Sequence, residues 1–186
     1  MKTAIIIHGM PSKEEYFDPA QPQPVDAHWL PWLKKELEIK GYEVHVPAMP
    51  EPYAPNYEKW KSVFESIPCD DETILVGHSG GAGFIVRWLS EHDINVGQVF
   101  LVAPWIDPVN ELKNDFFSFT IDQDLVDKTK GIEIFISDDD ENFILQSVEK
   151  IKVIKNIKIK QFKNRGHFDD FAGATTFPEL LEEIIK

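Results

Sequence analysis

With one cysteine in 186 residues the chain can form no internal disulfide, so its fold must rest on packing and hydrogen bonding. That residue, Cys69, is followed by Asp70 and Asp71 with no cation beside it, which argues against an activated thiol. Positive charge is also scarce. Nineteen Lys and Arg stand against 32 Asp and Glu, a net charge of -13, so neither nucleic acid nor an anionic membrane surface is expected as a partner. The one basic stretch, Lys150 to Lys163, has the spacing of the wet face of a helix and then of an edge strand, where lysines discourage aggregation. No apolar run approaches the length of a membrane span, and Ala4–Ile7 is too short for a secretory signal, so a cytoplasmic location is expected. The Lys-Ser or Lys-Thr pair of a phosphate loop is absent after Gly77 to Gly83, and no glycine fingerprint follows the first strand, which disfavours nucleotide binding. His28, His45 and His92 have no partners at metal-ligand spacing, so surface or capping roles are expected of them.

What is present is apolar and aromatic. A hydrophobic fraction of 42%, with five Trp and thirteen Phe, is enough for one substantial core, and the length suits a single domain over residues 1–186. Runs suited to strands occur at Thr3 to Ile7, Glu43 to Val46, Thr73 to Val76, Gln98 to Val102, Ile132 to Ile136 and Ile157 to Phe162. Helical periodicity falls between them, at His28 to Lys40, Asn56 to Ser66, Gly80 to His92 and Asn142 to Lys152, with a last helix after Phe177. Trp29, Trp32, Trp60 and Trp88 fit the buried faces of these helices. This alternation predicts an α/β domain, a doubly wound and mostly parallel sheet flanked by helices. Met10 to Pro24, with four prolines, reads as an extended loop after the first strand.

One segment carries chemistry. Ile74-Leu75-Val76 runs into Gly77-His78-Ser79-Gly80-Gly81, and Phe84, Ile85, Trp88 and Leu89 follow at helical spacing. A strand that turns into a helix within two residues strains the turning residue and brings the two elements close, and glycines at 77 and 81 leave room for that. Ser79 is thereby held at the tip, beside the unpaired N–H groups of a helix start. A serine hydroxyl needs a base, and the base an orienting acid. Downstream the chain offers Ser137-Asp138-Asp139-Asp140-Glu141 after one strand and Asn164-Arg165-Gly166-His167-Phe168 after the next. Serine, acid and histidine thus occur in that order, each at the carboxyl end of a predicted strand, where open α/β sheets bind ligands.

Together with Ile5-Ile6-Ile7-His8-Gly9, Val46-Pro47-Ala48-Met49-Pro50 and Leu101-Val102-Ala103-Pro104, these motifs resemble the α/β-hydrolase superfamily, and within it the small YdeN-like serine hydrolases that include retinoblastoma-binding protein nine. The resemblance implies Ser79 as nucleophile, His167 as general base and Asp140 as the acid that orients it. It places the oxyanion hole at the backbone N–H of Gly80 and at a second N–H, of Gly9 or Met10. Asp140 is selected by the family pattern Ser-x-x-Asp followed by an apolar residue, here Phe143. Where that pattern usually continues with proline the chain has Ile144-Leu145, which leaves Asp139 as the next choice. His8, beside the oxyanion loop, His78, inside the elbow, and Trp105, after the fourth strand, are candidates to line the substrate site, with packing as the alternative for each. The expected activity is carboxylesterase-like, the hydrolysis of an ester, thioester or amide of a small acyl group, with no metal or organic cofactor. Roughly 60 residues separate elbow from acid loop, too few for a large lid. Phe116, Phe117 and Phe119 there suit either a small flap or the core. A protein-interaction module on the same scaffold, with a protein partner, is the alternative reading.

Overall fold

Alternating strand and helix signals become a six-stranded sheet in a computed structural model that describes residues 2–186. The strands are β1 (Thr3–Ile7), β2 (Glu43–His45), β3 (Ile74–His78), β4 (Val99–Val102), β5 (Ile132–Ser137) and β6 (Lys158–Phe162). The helices are α1 (Lys13–Phe17), α2 (Leu30–Ile39), α3 (Tyr57–Glu65), α4 (Gly80–Glu91), α5 (Asn142–Ile151) and α6 (Pro178–Ile184). Every strand pair is parallel, in the order β2-β1-β3-β4-β5-β6. The chain steps from β1 outward to β2 and then crosses back to β3, so the order reverses between β1 and β3. A crevice opens at the carboxyl ends of strands at such a reversal. Gly9 and Met10 leave β1 there, and Ser79 leaves β3.

Strand residues alternate between two apolar layers because successive side chains point to opposite faces. Ile5, Ile7, Leu75, Leu101, Ile134 and Ile136 join Trp60, Phe64, Phe84, Val148 and Ile151. Ala4, Ile6, Val76, Phe100, Val102 and Phe135 join Leu30, Leu33, Leu37, Phe177, Leu180 and Ile184. Leu30, Leu33 and Leu37 lie at positions i, i+3 and i+7 of α2, one stripe facing the sheet. Each such side chain, fully buried, contributes about 1.5–3 kcal/mol. Trp29, Trp60 and Trp88 are buried and Trp32 is half-buried, and Phe116 is a core residue, packed on Trp60 and Phe84. The β6 edge carries an exposed Lys158, and Lys160 pairs with Glu183 at 2.8 Å. No helix among the described residues is long and apolar enough to cross a membrane.

The segment from Met10 to Pro24 is not wholly extended. It contains α1, whose start is a capping box: Ser12 Oγ accepts from the Glu15 N–H at 3.1 Å, and Glu15 Oε2 accepts from the Ser12 N–H at 2.8 Å. The spacing Ser12-x-x-Glu15 signals this helix, and the prolines around it mask the signal.

Candidate active site

The turn after β3 is built by backbone strain and held by backbone hydrogen bonds. Ser79 has φ 52° and ψ -122°, in the left-handed region that a side-chain-bearing residue enters only at a cost of about 1–3 kcal/mol. Its N–H donates to Val102 O at 2.9 Å, and its carbonyl accepts from the Trp105 N–H at 3.0 Å, so β4 and the segment just after it hold it from both sides. Close approach of α4 to β1 needs the neighbouring glycine. A Cβ on Gly81 would lie 2.4 Å from His8 O and 2.5 Å from Ile7 O.

Acid and histidine come together two strands away. His167 Nδ1 lies 3.0 Å from Asp140 Oδ1, and the Asp140 side chain is fully buried while His167 is half-buried. Asp140 Oδ1 also accepts from the Glu141 N–H at 2.7 Å, and its other oxygen is buried without a protein partner. A carboxylate only accepts, so Nδ1 of His167 carries a proton, and in the neutral ring Nε2 keeps its lone pair. Asp139 faces elsewhere. It is exposed, and it accepts from Ser137 Oγ at 2.5 Å and from the Gly166 N–H at 2.9 Å. Those bonds, the hydroxyl's first, hold its carboxyl below the usual range. Asp138 accepts from the Asn164 N–H, and Ser137 Oγ accepts from the Arg165 N–H. The acid loop therefore fastens the histidine loop at three successive N–H groups, a task the run of aspartates did not reveal as sequence.

A cavity of about 350 Å³ connects these parts, lined by Gly9, Met10, Tyr16, His78, Ser79 and His167 among others. Glu15, Asp169 and Asp170 line it too, and among the described residues no Lys or Arg does. His28 lines it as well, contrary to the surface or capping role expected of it. The His28 Nδ1 lies 3.1 Å from the Asp170 backbone N and 3.2 Å from Asp170 Oδ2. The same carboxylate oxygen accepts the His28 backbone N–H, and burial, only partly offset by that carboxylate, keeps the ring below its usual pKa. Phe171, 84% exposed, stands at the mouth. No sequence pattern marks His28, Asp169, Asp170 or Phe171, because loops far apart in the chain bring them here.

Two expected lining residues do not line the cavity. His8 is buried below it, with Nδ1 donating to Gly9 O at 2.7 Å and Nε2 accepting from the Met49 N–H at 3.0 Å. Its first bond turns the Gly9 carbonyl inward. In a trans peptide the N–H points the opposite way, so the Met10 N–H is aimed outward. Trp105 is buried too, its ring against Phe117 and Phe143, because its backbone is tied to Ser79 and its side chain turns away into the core. Among the described residues no group of three or more His, Cys, Asp or Glu is placed to hold a metal ion.

Burial makes the histidines an acid-sensitive element. His8 is pushed down to about 4, chiefly by desolvation, against 6.5 for an unperturbed ring. His78 is held well below that value by burial and by the adjacent His167. The unfolded chain therefore binds protons that the folded chain refuses, and stability falls as pH drops from 6.5 towards 4, by ~3 kcal/mol for His8 alone. Urea unfolding at pH 7 and pH 4.5 is expected to show this loss, and His8→Gln to flatten it; an equal slope in both proteins would assign the acid sensitivity elsewhere.

A parallel sheet whose third strand turns sharply at a serine, with an acid and a histidine after later strands, defines an α/β hydrolase. The crystal structure of the ydeN gene product from Bacillus subtilis superimposes with a TM-score of 0.79 at 24% identity, covering 100% of this chain and 97% of that one. A family model described as serine hydrolase matches residues 21–185, and the chain belongs to that family. It is 26% identical to YdeN of Bacillus subtilis (strain 168) over 164 residues, 84% of this chain and 86% of that protein. It is 27% identical to the serine hydrolase RBBP9 of Rattus norvegicus over 162 residues, 84% of each.

Proposed function

We propose that this serine hydrolase cleaves esters, thioesters or amides of small acyl groups through an acyl-serine intermediate, with carboxylic esters its principal substrates. The observation that carries this reading is the 3.0 Å bond from His167 to buried Asp140, which leaves a basic Nε2 in the cavity that Ser79 lines. Nε2 takes the Ser79 proton as Oγ attacks the substrate carbonyl, and Asp140 stabilises the imidazolium that forms. The N–H groups of Met10 and Gly80 receive the negative charge that develops on the carbonyl oxygen, a contribution of several kcal/mol where one such donor is worth about 3. His167 then protonates the leaving group, and water, deprotonated by the same nitrogen, releases the acid and restores Ser79. No step needs a cofactor. The acidic lining without Lys or Arg suits an uncharged or cationic substrate and repels anionic ones.

The alternative, a binding module, would favour exposed apolar surface away from Ser79. Phe171, the most exposed of the large apolar side chains, lines the cavity, and Phe17 packs on Tyr16, which also does, while Ile39, Val109, Val153, Ile159 and Ile185 are exposed outside the lining. A fluorophosphonate probe is expected to modify Ser79, with the adduct located by mass spectrometry and absent in Ser79→Ala. Folded protein that stays unlabelled would transfer the reading to the binding module.

A further inference from the structure

We infer that His78, the residue inside the elbow, is a positioning residue that ties the backbone of His167 to the Ser79 turn; the catalytic consequence of this rests on the hydrolase reading above. His78 ends β3 and is buried, with its ring centroid 4.9 Å from that of His167, 5.2 Å from that of His28 and 5.8 Å from that of Trp29. Its Nε2 lies 2.9 Å from the backbone oxygen of His167. A carbonyl only accepts, so Nε2 carries the hydrogen, and burial keeps the ring at one proton. Nδ1 is then bare, and it is buried without a protein partner.

Packing alone does not account for such a residue. An apolar side chain of similar volume would fill the space without stranding a ring nitrogen, so what distinguishes histidine here is the N–H it offers. The receiving loop needs that anchor. Gly166 and Phe168 flank His167 with φ of 50° and 54°, a contorted turn with no regular ladder to hold it. Its peptides are pinned one at a time. Gly166 N–H goes to Asp139, Phe168 N–H to Arg165 O, and Phe168 O receives Trp29 Nε1 at 3.1 Å, while His167 O receives His78. Only the last of these anchors sits on the residue covalently joined to Ser79. One amino acid thereby fixes the serine through its main chain and the histidine through its side chain, which sets the separation of two groups that arise 88 residues apart (167 minus 79).

The test compares His78→Leu, which has no donor, with His78→Gln, whose Nε2–H reaches a similar position, after thermal melts establish that each is folded. In wild type, ¹⁵N-detected histidine NMR is expected to show His78 protonated at Nε2 and bare at Nδ1, and His167 with a protected Nδ1–H. His78→Leu is expected to broaden or lose that His167 proton and to lower kcat about 10- to 100-fold at nearly constant KM, as a displacement near 1 Å does. His78→Gln is expected to restore both. A wild-type His78 protonated at Nδ1, or a Leu variant that keeps the His167 signal and the wild-type kcat, or a folded Gln variant no better than Leu, would each overturn the assignment. The ring signals are read without substrate, so an inert wild type with the expected signals would sink the hydrolase reading and leave the anchor standing.

Discussion

Asp140→Ala is expected to lower kcat about 10⁴-fold, and Asp139→Ala about 10-fold, in a steady-state assay with a small activated ester. The adjacent aspartates differ in what they hold. Asp140 is buried and bonded to Nδ1 of His167, so its loss frees the ring to rotate or exchange tautomer and leaves the imidazolium without a counter-charge. Asp139 touches Ser137 and the Gly166 N–H, so its loss loosens the histidine loop without changing the ring's partner. Asp140→Asn refines the comparison. An amide oxygen in the place of Oδ1 still accepts from both the Glu141 N–H and His167, which preserves the tautomer, while the charge is lost and the amide nitrogen takes the buried, unpartnered place of Oδ2. Its kcat should fall between those of Asp140→Ala and Asp139→Ala. If Asp139→Ala were the more damaging, the acid would be Asp139 and the register Ser-x-Asp.

The reach of sequence reasoning follows from which signals are local. The six strands were legible because β-branched runs such as Ile5-Ile6-Ile7 and Ile132 to Ile136 sit between turn residues, and the parallel order followed from helices placed between them. Ser79, Asp140 and His167 were legible as positions after strands, and the structure gathers them at one end of the sheet. What a side chain does at such a place depends on burial, which no local pattern encodes. His8 and Trp105 both stand beside the site in sequence. Yet His8 turns under the loop after β1 to hold Gly9 O, and Trp105 turns into the core because its own N–H is committed to Ser79. His28 shows the converse. It looked like a surface residue, and a left-handed turn at φ 59° brings it into the cavity against the segment after His167. The helix α1 was legible in principle, through Ser12-x-x-Glu15, but the surrounding prolines carried the opposite message.

Gly83→Ala is expected to destabilise the protein by about 3 kcal/mol or more and to lower Tm by roughly 6–12 °C, measured by thermal unfolding. The sign is informative, because alanine in place of a helical glycine ordinarily stabilises by up to about 1 kcal/mol. Here the added methyl would lie 1.9 Å from the backbone oxygen of Trp105 and 2.8 Å from the ring of Phe117. The oxygen cannot retreat at low cost. Its residue donates to Ser79 O, and its indole packs at 5.5 Å from Phe117 and 6.4 Å from Phe143. Relief must come from α4 lifting off the sheet, and α4 begins at Gly80, so the movement would reach the Ser79 turn and the Gly80 N–H beside it. With total stabilities commonly about 5–15 kcal/mol, a loss of this size removes a large share of the margin. Probe labelling at Ser79 in the surviving folded fraction should slow along with the fall in Tm, since the close seat of α4 that supports the core also shapes the strained turn. A variant as stable as wild type and labelled at the same rate would show that α4 can shift without disturbing Ser79, and that the strain at φ 52° is held by β4 and the segment just after it.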